Sequence, residues 1–353
     1  MQKPFIRKSL SNSTASLYAI AIAIACLSIL LGISIGALSI PFSSIIRIFL
    51  HAWFGMPLGG DISQNLVQVV MMIRLPRVIL AFFVGASLAL AGAAFQGLLK
   101  NVLADPYTLG VSSGASVGAV FVLFFGIQLP LIGEFTLPTV SIITGLCTLF
   151  LVLAFARAVE KKMSIETIIL TGIIFSAFFS SLISLMIALT GEELRQIISW
   201  LLGSVSMRGW DYIMMMFPFL VMGSLLLFMN SRELNAFAFG ESAAANIGVD
   251  VAKRKLMILT GASLLTGAAV AVSGTIGFVG LVVPHITRII CGANHRRLLP
   301  LSFLYGGAFL VLADLLARTI ISPRELPIGV ITSLIGAPIF AFLYFKRMKR
   351  KAG

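Results

Sequence analysis

The sequence predicts an all-α, polytopic membrane protein with about ten transmembrane helices. Three observations carry that expectation. Hydrophobic residues fill 59% of the 353 positions, and mean hydropathy is +1.05. Charged residues make up only 11%, against about a quarter in soluble domains. The apolar residues also gather into runs of roughly 20 divided by short polar links, the length at which a helix crosses hydrocarbon while satisfying its own backbone. No polar stretch is long enough to fold alone, so residues 1–353 read as one membrane domain. The first apolar run lacks a small-residue cleavage site followed by a mature domain, and is expected to be a retained span.

In chain order the expected spans are Ser16–Leu38, Val78–Leu99, Gly110–Phe125, Leu137–Phe155, Thr167–Thr190, Tyr212–Met229, Leu256–Val272, Ile276–Ile290, Leu298–Ile321 and Ile328–Tyr344. Between the first two lies Ser39–Arg77, with Pro41, Trp53, Pro57 and a Gly59-Gly60 turn. Its Ile45, Ile46, Ile48, Phe49 and Trp53 suit a helix lying in the membrane interface. The third and eighth spans are short and glycine-rich. Gly110, Gly114 and Gly118 recur every four residues, as do Gly85, Ala89, Ala93 and Gly97, and such ladders let helix backbones approach closely. Gly85-Ala86-x-x-Ala89-x-x-Gly92 is echoed by Gly267-Ala268-x-x-Ala271-x-x-Gly274, a weak hint of an inverted repeat.

The net charge of +13 reads as a topology signal. With the N-terminus inside, 19 of the 26 basic residues face the cytoplasm, among them Lys3, Arg7, Lys8, Lys162, Lys253, Arg254, Lys255 and the cluster Lys346–Lys351. The opposite orientation reverses the bias, so both termini are expected to be cytoplasmic and nucleic acid is not an expected partner. Cys26, Cys147 and Cys291 are odd in number and sit in apolar runs, which suits buried small hydrophobes rather than a disulfide framework or zinc site.

The segment Leu234–Val249, LNAFAFGESAAANIGV, is too polar to cross a bilayer and too short to fold alone. Gly240 permits a tight turn, Glu241 or Ser242 can cap a helix start, Ala243–Ala245 favour helix and Gly248 can end it. It reads either as a handle for another protein or as an ordinary connecting loop. Arg74 and Arg77 precede the second span, and Asp314 and Arg318 lie one helical turn apart in the ninth. Such arginines suit carboxylates on a docking partner, or simple snorkelling to the interface. Gly172, Ser176, Ser180 and Ser184 give the fifth span a small, weakly polar face for a pathway or for packing. His285 follows Pro284, a kink position, with no adjacent histidine or carboxylate to make it a ligand or relay.

Absences narrow the function. The chain has no G-x-x-x-x-G-K-[ST] phosphate loop, no metal-ligand spacing and no nucleophile–base pair, so neither a catalytic site, a cofactor nor a resident metal is expected. Asp314 is the one acidic residue deep in a span, which argues against ion coupling.

Six segments in order resemble the FecCD-type permeases, membrane subunits of ABC importers for ferric siderophores, haem and cobalamin: RLPR at 74–77, GASLALAGAAFQGLLKNVLADPYTLGVSSGA at 85–115, FGESAAANIG at 239–248, SGTIGFVGLVVPHITR at 273–288, LADLLAR at 312–318 and ELPIGVITSLIGAPIF at 325–340. The resemblance, over roughly 74–345, implies a cobalamin-importer-like permease fold in a prokaryotic plasma membrane. It implies a second permease copy, identical or similar, a cytoplasmic ABC ATPase dimer that carries the ATP and magnesium, and an extracytoplasmic substrate-binding protein. By motif, Gly240, Glu241, Ser242, Ala243 and Gly248, within 234–249, match the segment that couples to the ATPase. Arg74, Arg77 and Arg318 match the positions that meet the binding protein. Asn101 and Leu103 match one inner gate, and Ser164, Ile165 and Glu166 match the other, where Ile165 and Glu166 replace the small hydroxyl residues common in relatives. Ferric siderophore is the expected cargo, with haem or cobalamin behind it. The alternatives are a stand-alone secondary carrier or channel, and a membrane scaffold.

Overall fold

The computed structural model describes residues 14–36, 38–58, 62–161 and 163–352. The Gly59-Gly60 turn, Lys3, Arg7, Lys8 and Lys162 lie outside the described residues, as do the side chains of Lys346–Lys351. Among the described residues the regular structure is helical, with no strand.

The first helices are α1 (Thr14–Ser34), α2 (Phe42–Phe54) and α3 (Gln64–Gln68), which passes through a π-helical turn, Val69–Arg74, into α4 (Leu75–Leu98). Then follow α5 (Val111–Phe125), α6 (Thr136–Val159), α7 (Ile165–Leu189), α8 (Leu194–Leu201), α9 (Gly209–Met229), α10 (Ser231–Phe237) and α11 (Glu241–Asn246). The chain ends with α12 (Val251–Ser273), α13 (Val279–Cys291), α14 (His295–Thr319) and α15 (Ile328–Ala352). Among the described residues seven helical segments are long and apolar enough to cross a membrane, and α5, α13 and the apolar part of α15 are shorter. Together they correspond to the ten expected spans.

α4 is the axis of the fold, buried along nearly its whole length against α9, α12, α13 and α14. Its small residues explain how. A Cβ on Gly92 would lie 1.8 Å from the Gly280 carbonyl oxygen, and one on Gly85 would lie 2.3 Å from that of Gly306. The ladders are therefore helix-packing surfaces, and the close approach supplies dispersion contacts where lipid offers no hydrophobic driving force. Of the echoed glycines, Gly267 meets only Val111, at 3.6 Å, whereas a Cβ on Gly274 would lie 2.0 Å from the Trp200 carbonyl oxygen, so the echo repeats the close approach at one of its two glycines.

The second span starts earlier than expected. Pro76 cannot donate to the carbonyl four residues back, and the helix absorbs it by widening: Leu75 N donates to Val70 O across the π turn. Trp210 Nε1 on α9 donates to the Met71 carbonyl at 2.9 Å, binding this irregular turn to the bundle. α2 is amphipathic as expected, burying Ile45 and Ile48 while Phe49 stacks on Trp53 at 5.1 Å. The cysteine expectation needs correction: Cys26 and Cys147 are exposed and Cys291 is half-buried. A membrane protein turns apolar residues outward to lipid, so an apolar run does not imply burial within the chain.

Candidate functional site

The segment between α10 and α12 folds into a short projecting helix. Gly240 takes φ 110° and ψ 157°, a left-handed region that a side chain would strain, and α11 follows at once. Gly248, at φ 88°, ends it, with its N–H donating to Ala245 O at 2.9 Å. Ser242 and Ala243 are exposed and only Ala244 is buried. Phe239 and Ile247 flank the helix at 84% and 73% exposure. The expected side-chain cap is absent: Gly240 occupies the cap position, and the Glu241 carboxylate goes elsewhere.

It goes to Lys255. The Lys255 ammonium lies 2.6 Å from Glu241 Oε1 and donates to the Met163 carbonyl at 3.0 Å, with 3% of its side chain exposed. Met163 adjoins Ser164, the N-cap of α7, so one buried cation joins the projecting helix to the turn carrying Ser164, Ile165 and Glu166. That turn is itself clamped, because Glu160 Oε2 accepts from Ser164 N at 3.2 Å and from Thr167 Oγ1 at 2.6 Å. A carboxylate at a helix start also complements the helix dipole.

The other flank of Gly240 faces the end of α4, where a Cβ on Gly240 would lie 3.6 Å from Lys100 Nζ. Lys100 opens the Asn101–Leu103 turn, in which Asn101 Oδ1 accepts from Leu103 N at 2.9 Å and Leu103 is 42% exposed. Asp105 then caps the short 3₁₀ turn Pro106–Leu109 by accepting from Tyr107 N at 3.0 Å. Burial raises the Asp105 carboxyl above its ordinary range, partly offset by that N–H. Tyr107 Oη donates to Ile276 O at 2.8 Å, anchoring the turn between α12 and α13.

α7 rests directly on this turn. A Cβ on Gly172 would lie 2.5 Å from Thr108 O, and one on Gly110 would lie 3.2 Å from Ser176 Oγ. Ser180 and Ser184, further along the same face, are exposed. The serine stripe thus divides into an internal packing half and an open half. The structure brings together the 240–241 turn, Lys100 and Met163, which are far apart in sequence. Lys255 and Glu160 were the residues sequence reasoning missed. Lys255 looked like one more flanking charge in a Lys-Arg-Lys run, and only its burial marks it out.

At the opposite end of the bundle the three arginines are not free donors. Arg74 Nη1 donates to Ile33 O at 2.7 Å and Ser34 O at 3.1 Å, and Nη2 donates to Leu38 O, closing the carboxyl end of α1. Arg318 Nη2 donates to Gly32 O, and its Nε lies 3.6 Å from Asp314 Oδ2. Arg77 holds Asp314 bidentately, Nη2 to Oδ1 at 2.8 Å and Nε to Oδ2 at 3.0 Å, and also binds Glu325 Oε1 at 2.8 Å. Low-dielectric surroundings force buried charges to find partners, and here those partners are internal. Burial opposes ionisation of Glu325, but the hydrogen bond and charge of Arg77, with Ser206 and Arg318, outweigh it and hold the carboxyl below its usual range.

Two further cations at this end lie in the link after α7, Arg195 exposed and Arg208 half-buried. Arg195 and Arg208 line a recess of about 510 Å³ with Trp200 and Met207. Arg208 sits over the Tyr212 ring at 5.0 Å, and Met207 is 93% exposed.

Residues 23–346 match the FecCD transport family. The chain is 57% identical to an uncharacterized ABC transporter permease protein, YvrB, of Bacillus subtilis, covering 98% of each sequence. It is 40% identical to the cobalamin import system permease protein BtuC of Halobacterium salinarum, over 84% of this chain and 79% of the relative. Its fold superposes with TM-score 0.81 on a solved metal-chelate type ABC transporter in an inward-facing conformation, at 34% identity, covering 95% of this chain and 100% of that one. The chain belongs to the FecCD transport family and is a multi-pass permease subunit.

Proposed function

We propose that the chain is the membrane-spanning subunit of an ABC importer that moves an intact metal chelate, a ferric siderophore foremost, across a prokaryotic plasma membrane. A binding protein delivers the chelate outside, and an ATPase dimer drives the cycle inside. The observation that carries this reading is the Lys255 bridge from Glu241 of the projecting helix to the Met163 carbonyl beside one gate turn, with Lys100 of the other gate turn lying close to Gly240. In this reading the end bearing α11 is cytoplasmic, as the distribution of basic residues favours.

Phe239 and Ile247 offer apolar anchors for the ATPase on either side of α11. When nucleotide draws the ATPase subunits together, α11 moves. Lys255 pulls the Met163 carbonyl with it, and the clamped turn passes the motion to α7. The cargo path lies along α7 between two copies of the permease. Its exposed Ser180 and Ser184 are hydroxyls, poor competitors for ferric iron, so the chelate crosses without losing its metal.

On the outer face, Arg195 and Arg208 are placed to meet acidic residues of the binding protein. Arg74, Arg77 and Arg318 brace the surface beneath. Arg77 holds the α14–α15 link through Glu325, while Arg74 and Arg318 hold the end of α1.

Reconstitution tests the whole reading. The permease, its partner ATPase and its binding protein are placed in lipid vesicles with a labelled ferric chelate. Uptake is expected only with all three components and ATP. Transport by the permease alone would make it a secondary carrier or channel and refute the proposal.

A further inference from the structure

A second basic site lies at the same end of the bundle as α11, on the side of α9. A recess of about 600 Å³ opens between the last turn of α9 and the starts of α10, α12 and α14. Arg232, Arg254 and Arg296 line it, and Glu233 is the one carboxylate among its lining residues. Asn230 Oδ1, 3.2 Å from Arg254 Nη1, and Glu233, at 3.4 Å, hold the Arg254 guanidinium in place. Arg232 and Arg296 are exposed and come from different helices. Phe228, Met229 and Pro300 supply the apolar wall.

From that wall an exposed apolar stripe climbs α9 through Leu225, Met222 and Val221, at 57%, 56% and 46% exposure. The recess therefore sits where the stripe that faces hydrocarbon meets water. We propose that it is a binding site for an anionic phospholipid, with the phosphate among Arg232, Arg254 and Arg296 and an acyl chain along α9. Arginine forks match phosphate oxygens, and an excess of cations over carboxylates favours a headgroup of net negative charge over a zwitterionic one. A free phosphate would use the same guanidinium groups but would leave the apolar wall and the α9 stripe unoccupied.

Native mass spectrometry of the full-length chain in detergent tests this, with phosphatidylglycerol, phosphatidylcholine or inorganic phosphate added. Retention of phosphatidylglycerol above phosphatidylcholine is expected. Arg232→Ala with Arg296→Ala should lower its apparent affinity roughly 30-fold, at about 1 kcal/mol for each cation removed. Arg232→Lys with Arg296→Lys should keep most of it. Both pairs are at the surface, and unchanged elution and melting of the variants would show that the fold is retained. Displacement of the lipid by millimolar inorganic phosphate would overturn the proposal in favour of a free-anion site. Equal retention of both lipids, or of phosphatidylglycerol by the alanine variant, would also overturn it. If the alanine pair lost the ATPase while still retaining the lipid, the recess would be a partner interface instead.

Discussion

At Lys255 a buried ammonium is shared by a carboxylate and a carbonyl from segments that are remote in sequence. Neither partner needs the lysine for its own helix, so its burial is otherwise a cost without local return. Lys255→Met keeps the length of the side chain and removes the charge. It should lower stability by about 1–3 kcal/mol, the penalty for leaving buried polar groups unmatched, and should disconnect ATP hydrolysis from transport. The check is the number of ATP molecules hydrolysed per chelate imported, which should rise several-fold while insertion and ATPase binding persist. Glu325 makes a prediction in pH. Its folded-state pKa lies below its unfolded value, so its stabilising effect is complete above the unfolded value, about 4.3, and is lost as pH falls through the lower folded one. Glu325→Gln should therefore melt below the parent protein at neutral pH, and the gap should close in strong acid.

Among the elements, α4 shows how small residues specify a membrane core. Gly92→Ala forces a methyl group into the Gly280 carbonyl, whereas Gly267→Ala meets only a valine methyl at ordinary contact distance. The first should destabilise the protein by about 1–3 kcal/mol or more as α4 and α13 separate, and the second should leave thermal melting in detergent nearly unchanged. Much of this layer was legible in the sequence, because hydrophobic length gives spans and four-residue ladders give packing faces. The entry to α4 was not. Proline reads as a helix boundary, and only a widened π turn with Trp210 on the freed Met71 carbonyl lets the helix continue. The serine stripe of α7 was visible as a face, but its division into a packed and an open half depends on Thr108 and Gly110, which no periodicity connects to it.

For the whole molecule, the two ends of the bundle are built for different tasks. At one end Arg77, Asp314 and Arg318, with little exposure, and the exposed Glu325 form an ion network that stiffens the surface. Its sequence signature, arginines near a span end, is the same for a docking donor and a structural brace, and burial alone separates them. Accordingly, Arg195→Glu with Arg208→Glu should weaken binding-protein docking in a salt-dependent way, whereas Arg74→Glu should chiefly lower the melting temperature. At the other end α11, Lys100 and Met163 form a compact device, and the motifs for its parts were readable while the lysine that joins them was not. Its action can be observed directly. Single cysteines at Ser164 and Asn101, with Cys26, Cys147 and Cys291 replaced by serine, report the two turns proposed as gates through their rate of thiol modification. With the ATPase bound, a non-hydrolysable ATP analogue should change both rates. Adding Lys255→Met should abolish the change at Ser164 and spare that at Asn101. Rates that ignore nucleotide, or a response at Ser164 that survives Lys255→Met, would contradict the coupling path.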